Sequence, residues 1–530
     1  MGFYGLGTRP ILVRLSITNP TISQVWYADD ATGAGKLQQL KSWWDAIKQE
    51  GTKFGYFVKP KKSWLILKDA SQLTECQELF KDSPINITVG GKRHLGASIG
   101  TIEFKEEYIN EKVKKWTSCI KTLAEIAKSE PHAAYAAYTH GEQHKYTYFK
   151  RTIPNISDNL QPLDDAIDNL LIPALFGHEI NENERRIISM PIKHGGLGLR
   201  RVSENCPESY QASRKITGPL IREIVNQSDT LPPTENVLAA KAASLARTTK
   251  LDTERIETIT SAQTPHMQRN LERLSEPGAS SWLGALPLQS QGFNLTKAEF
   301  HDALALRYEK ELKNLPAQCP CGKPFNTTHA LDCHLGGFVN RRHDMIRDVE
   351  VDLLRIVTHD VEAEPMLQPV TNKNGYQKTA NLQHDARLDV RARGFWRDGQ
   401  NAFFDVRVTN PNNVSQQNSS LKAVLRKHEL EKKRLYNRRV MEVEHGSFTP
   451  LVFTTTGVMS QECSIFHKSL AEKISLKRGD RYEEIMRYLR VKFSFLSLKA
   501  TLVCLRGTRS RPKQSGLTTD FGLALYELRV

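Results

Sequence analysis

Apolar and polar positions change period several times along the chain, and each change marks a predicted element. A helical spacing runs through Leu15, and Ile22–Tyr27 then reads as a strand closed by an Asp29-Asp30 turn. An amphipathic helix is predicted from about Lys36 to Glu50, followed by short strands around Phe54–Val58, Trp64–Leu67 and Ile87–Val89. From Glu103 to about Asn226 the pattern is mostly helical, broken by an Asn/Asp/Pro-rich loop near 154–164 and by the glycine-punctuated "MPIKHGGLGLRR". Residues 227–280 are polar and partly helical, the pattern of a connector. A new unit opens near "SSWLGALPL" with a Cys/His group and a helix over Arg342–Val357. Strands near 361–370, 384–393 and 402–409, a basic helix over 419–440, a strand over Thr449–Thr455 and two helices follow. A Gly/Arg/Ser/Pro tail from Arg506 reads as mobile. There is no internal repeat, and the order of elements predicts a multidomain fold of α+β and α/β class.

Composition narrows the partners. The chain has 530 residues, 74 Lys and Arg against 59 Asp and Glu, and a net charge of +15. With a mean hydropathy of -0.47, it reads as a soluble protein that favours polyanions, nucleic acid first and an anionic membrane surface second. No apolar run reaches the roughly 18–20 residues needed to cross a bilayer, and the N-terminus lacks the order of a signal peptide. Gly2 does not suffice for myristoylation, because Gly7 stands where Ser or Thr is wanted. Eight Cys, with one tight group, fit a reduced compartment rather than a disulfide framework.

Two constellations carry chemistry. In the first, Tyr27-Ala28-Asp29-Asp30 sits on a hairpin, the turn of which can present carboxylates to divalent metal. The "KPKKSW" segment (Lys59–Trp64), "HLGASIG" (His94–Gly100) and "MPIKHGGLGLRR" follow in order. This series resembles the palm of reverse transcriptases of non-LTR retrotransposons: the polymerase hairpin, the lysine-bearing motif, the Leu-Gly hairpin that grips the primer, and the close of the thumb. The resemblance implies RNA-directed DNA polymerase chemistry with Mg2+ or Mn2+ held by Asp29, Asp30 as a weaker contributor, and Lys62 at the leaving pyrophosphate. A solvated lysine is the alternative for Lys62, and Trp43 and Trp44 read as core and edge of a helix rather than base-stacking groups. The family's further metal-binding aspartate lies upstream of the hairpin, whereas no Asp or Glu precedes Asp29 here. The expectation is therefore half a polymerase site, on a fragment of a longer element, that does not copy RNA alone.

The second constellation begins with "CPCGKPFNTTHALDCH": Cys319, Cys321, His329 and Cys333 as four N/S ligands for a structural Zn2+, with His334 as a substitute. The Cys-x-Cys spacing is tighter than the usual one. Downstream, "HDARLDVRAR" and "NAFFDVRVTNP" put Asp389 and Asp405 on strands. A Cys/His knuckle followed by strand-borne aspartates resembles the restriction-like endonuclease of certain non-LTR retrotransposons, a branch of the PD-(D/E)xK nucleases. The resemblance implies Mg2+ or Mn2+ held by Asp389 and Asp405, with Glu350 or Glu364 completing the shell. Alternatively, these strands carry a surface ladder of Asp and Arg. Where the superfamily often has Asp-x-Lys, this chain has Asp405-Val406-Arg407; arginine does not accept a proton near neutral pH, and Arg407 is expected to stabilise transition-state charge instead. "HELEKKRLY" supplies Glu429, Lys432 and Tyr436 on one helical stripe. Lys432 is expected as base or phosphate stabiliser, and Tyr436 as a packing or phosphate contact. A DNA-facing cluster of Lys432, Lys433, Arg434, Arg438 and Arg439 is the other reading.

The expected organisation is a partial reverse-transcriptase palm (1-100), helical thumb (101-226), connector (227-280), linker and zinc knuckle (281-340), restriction-like endonuclease with a mixed sheet flanked by helices (341-505), and basic tail (506-530). The expected function is nicking of DNA, with element RNA and chromosomal DNA as partners in the nucleus. A non-catalytic, zinc-stabilised nucleic-acid-binding remnant is the alternative.

Overall fold

The computed structural model describes residues 2–228, 230–370, 380–413, 416 and 419–509. The predicted tail beyond 509 lies outside them. The chain is a mixed α+β protein that divides into two compact units. One comprises 1–123, 140–171 and 201–257; the other comprises 124–139, 172–200 and 258 onward. Among the described residues no helix is long and apolar enough to cross a membrane.

In the first unit, β1 (Ser23–Tyr27) and β2 (Asp30–Ala34) form an antiparallel hairpin in which Tyr27 pairs with Asp30. The helix Leu37–Lys53 packs its apolar stripe into a core of Ile11, Leu15, Ile22, Trp43, Trp44, Ile47 and Phe80. Both tryptophans are thus core residues, their indole N–H groups donating to Gln24 at 3.2 Å and Ser83 at 3.1 Å. β3 (Trp64–Ile66) and β4 (Asn86–Thr88) pair in parallel, and β5 (Gly91–His94) and β6 (Ala97–Gly100) form a second hairpin. Its two-residue turn places Leu95 and Gly96 at φ 47° and 85°, the left-handed pair that a tight hairpin needs. The strand expected at Phe54–Val58 does not form. Gly55 adopts φ 73°, and the Phe54 and Tyr56 N–H groups both bond back to Gly51 O, so the segment is a helix-terminating turn. The connector is more ordered than its composition suggests, with helices Thr234–Ser261 and Pro265–Ser275.

The second unit is built on one four-stranded sheet, in the order β10 (Ser447–Thr454), β9 (Asn401–Thr409), β8 (Val390–Arg393) and β7 (Val361–Ala363). β9 and β10 are parallel and the other pairs antiparallel. Pleat alternation divides β9 between two environments. Phe404 and Val406 enter a core with Phe453, Phe466, Leu470 and Phe493, contributed in part by the helices Phe338–Val357, Gln461–Arg478 and Tyr482–Arg506. Phe403 packs with Leu388, Val440 and Phe448 instead. The strands expected near 361–370 and 384–393 are shorter than predicted. Glu364 takes φ 52° and Pro365 has no N–H, so regular pairing stops there and survives only as a bridge between Met366 and Arg387. Arg439 is fully buried and structural rather than DNA-facing. Its guanidinium donates to Asn381 O (3.0 Å), Gln383 O (2.9 Å) and Gln368 O (2.9 Å). The start of the tail is also fixed: Arg509 is buried over the Phe325 and Phe338 rings and donates to Ala330 O at 3.0 Å.

Candidate functional site

The middle of β9 carries a buried charge. Asp405 is nearly inaccessible, at 4 % exposure. Burial raises its carboxyl to about pKa 6; the Lys432 ammonium opposes that rise and the Asp389 charge adds to it. Lys432 reaches across from the Leu421–Glu442 helix and sits 2.5 Å from Asp405 Oδ2. Burial works against its charge, but Asp405 outweighs that and holds its pKa above the ordinary lysine value. Lys432 in this arrangement is a fixed cation rather than a proton acceptor.

Asp389 stands just before β8, and its carboxylate turns toward β9. Oδ2 accepts from the Val406 N–H at 2.6 Å and lies 3.0 Å from His343 Nε2. His343 comes from the first turns of the Phe338–Val357 helix, with Val406 O at 3.2 Å from Nε2 and Asp344 at 3.3 Å from Nδ1. Burial lowers the affinity of this ring for a proton, but the hydrogen bond and charge of Asp389, aided by Asp344 and Asp405, raise its pKa to about 9. An imidazolium, a lysine and two aspartates from four segments therefore meet around Val406. His343 is the member that sequence reasoning missed. It lies 46 residues before Asp389, and "RRHDM" carries no spacing signal for a contact that distant.

The remaining candidates separate. Glu350 does not join the aspartates: it is fully buried, 3.0 Å from His467 Nε2. That ring packs among Phe453, Phe466 and Phe493, in the core to which Phe404 points. Glu364 is ion-paired with Arg347 and lies 4.0 Å from Arg387, although its N–H bonds Asp389 O at 2.9 Å. Arg407 is held by Glu431 at 3.2 Å. Glu429 accepts from the Glu462 N–H at 2.8 Å, capping the start of the Gln461–Arg478 helix. Tyr436 is a packing residue against Phe448. Asp389, Asp405 and His343 do not bring their ligand atoms together as one metal-binding group: among the described residues, three or more such atoms assemble only at the Cys/His knuckle.

At that knuckle Cys319, Cys321, His329 and Cys333 bring their ligand atoms within 4.8 Å of one another. A tight turn places the first two, with Gly322 at φ 92° and the Cys319 N–H bonded to Lys323 O at 2.9 Å. The short helix Thr327–Asp332, capped by Asn326 on the His329 N–H, carries His329, and Cys333 follows directly at its C-cap. Cys319 and Cys333 Sγ are 3.9 Å apart and Cys321 Sγ is 3.3 Å from His329 Nε2. Tetrahedral zinc with Zn–S near 2.3 Å separates its sulfurs by about 3.8 Å, so the donor set and spacing are compatible with zinc. The Cys-x-Cys spacing fits because Gly322 tightens the turn. His334 is not in the cluster.

In the first unit, Asp29 and Asp30 are exposed at the tip of the β1–β2 hairpin. Ala28 adopts φ 54°, and Asp29 O accepts from the Tyr56 hydroxyl at 3.0 Å. Lys62 is exposed in a short turn, Pro60–Lys62. No further carboxylate joins Asp29 in a cluster among the described residues. No family model matches this chain, and no curated protein matches it.

Proposed function

We propose that the chain is part of a non-LTR retrotransposon polyprotein in which a restriction-like nuclease nicks DNA and is joined to a partial reverse-transcriptase palm and helical thumb. The observation that carries this reading is the meeting of Asp389, Asp405, Lys432 and His343 around Val406. Asp389 and Asp405 would hold Mg2+ or Mn2+, which when bound supplies Lewis acidity toward the scissile phosphate. Lys432 offers positive charge to the phosphate, and His343 with the Val406 N–H fixes the orientation of Asp389. The knuckle would hold a structural Zn2+. The hairpin bearing Asp29 and Asp30, with Lys62 nearby in sequence, supplies one carboxylate pair, which does not by itself fix two cations. This chain alone is thus proposed not to extend a primer. Chromosomal DNA and element RNA are the proposed partners, which places the work in the nucleus.

The test is conversion of supercoiled plasmid to nicked circles with Mg2+ or Mn2+. Asp405→Ala and Asp389→Ala are each expected to slow nicking roughly 100-fold or more, with the circular dichroism spectrum unchanged. Unaltered nicking by Asp405→Ala removes that residue from the mechanism. One observation favours a second reading, a zinc-stabilised binding remnant: Lys432 already neutralises Asp405 at 2.5 Å. DNA binding without turnover under either metal would select it.

A further inference from the structure

A basic cleft lies in the first unit, away in sequence from the candidate site residues described above. The helices Cys206–Val225 and Thr234–Ser261 flank an open, shallow cleft of about 610 Å³. Arg214, Lys215 and Arg222 line it from one helix and Asn236 from the other. Gly218, Ala239 and Ala240 are also in its lining, and such small side chains let a ligand approach the helix backbones. The two helices carry Glu208, Glu223, Glu235, Asp252, Glu254 and Glu257, yet none of these lines the cleft.

The cations in the cleft are also uncompensated. Among the described residues, Arg214, Lys215 and Arg222 form no ion pair, whereas Arg255 on the neighbouring helix is bound to Glu204 at 2.6 Å. Elsewhere in this unit, exposed helix lysines find a carboxylate one turn away, as in Lys53–Glu50 and Lys115–Glu111. Three like charges sharing one concave surface repel one another, and an anion that enters between them relieves this. The lining contains no aromatic ring, so it offers no aromatic platform on which successive bases could stack.

We propose that this cleft binds the phosphodiester backbone of single-stranded nucleic acid without reading its bases. The choice of nucleic acid among polyanions rests on the function proposed above; the cleft itself rests on its own geometry. A single strand is chosen over a duplex because its flexible backbone can follow a small concave surface, whereas a duplex is stiff over many base pairs.

The test is binding of a short mixed-sequence DNA strand to the full chain, followed by fluorescence anisotropy without added divalent metal. The variant Arg214→Ala/Lys215→Ala/Arg222→Ala is compared with Lys81→Ala/Lys115→Ala/Lys128→Ala, which removes equal charge elsewhere. Three lost phosphate contacts should reduce the slope of log K against log salt by about 2 and weaken binding roughly 10–50-fold near physiological salt. The control variant should bind as the parent does. Equal losses in both variants, or an unchanged slope in the first, overturn the proposal. So does poly-glutamate or a phosphatidylserine vesicle that competes as well as the strand. Thermal melting of the first variant at the parental temperature confirms that the losses are not unfolding. Nicking is assayed separately: a chain that binds through the cleft and never nicks loses the nuclease reading alone, and the reverse result loses the cleft alone.

Discussion

Single residues in the second unit show how burial sets charge. His132 is 1 % exposed, its Nδ1 accepts from the Leu295 N–H at 3.2 Å, and its ring stacks 5.4 Å from Phe300. Burial, with Lys499 adding to it, lowers its pKa from 6.5 to about 4. A depressed pKa means that the folded state prefers the neutral ring. The stability this gives is complete above pH 6.5 and is lost as pH falls through 4. The difference corresponds to about 3 kcal/mol, and His132→Gln, which keeps an acceptor, should flatten that part of the stability–pH curve in denaturant titrations. An equally steep acid loss in the variant would assign the effect to other groups. Nothing in "EPHAAYAAY" distinguishes this histidine from an exposed one. Asp405, by contrast, was legible as a candidate because it interrupts an apolar strand.

At the scale of elements, β9 is the strand on which both the core and the site depend. Phe404 is completely buried, 4.8 Å from the Phe466 ring and 5.6 Å from Phe395. Phe404→Ala should cost about 3–5 kcal/mol, measured by chemical denaturation, and a loss below 1 kcal/mol would contradict this packing. The knuckle gives a second prediction. If zinc occupies its four ligands, the purified chain should carry one equivalent by elemental analysis. A strong chelator or Cys333→Ser should then lower the melting temperature; an unchanged melt with the metal removed would show that the cluster does not stabilise the fold. The helices and the long strands were readable from periodicity. The short strands near 361–370 were not, because one residue at positive φ and one proline ended pairing that alternation alone would have continued.

For the whole molecule, net charge is the property most directly set by composition. A chain at +15 that contacts about six phosphates should lose duplex affinity about 1,000-fold between 50 and 200 mM salt. A filter-binding series checks this, and a flat response would argue against phosphate-led binding. The sequence by itself determined the mixed α+β class, the positions of most helices, the membership of the Cys319, Cys321, His329 and Cys333 cluster and the tip of the Asp29-Asp30 hairpin. These depend on neighbours a few residues apart, and local spacing fixes them. Only the tertiary structure decided that His343 meets Asp389, that Lys432 rather than Arg407 faces Asp405, that Glu350 turns into the core beside His467, and that Arg439 is an internal clamp. Those outcomes depend on which faces of distant helices meet the sheet, a choice made by side-chain packing and desolvation across the whole unit that no periodicity along one segment contains.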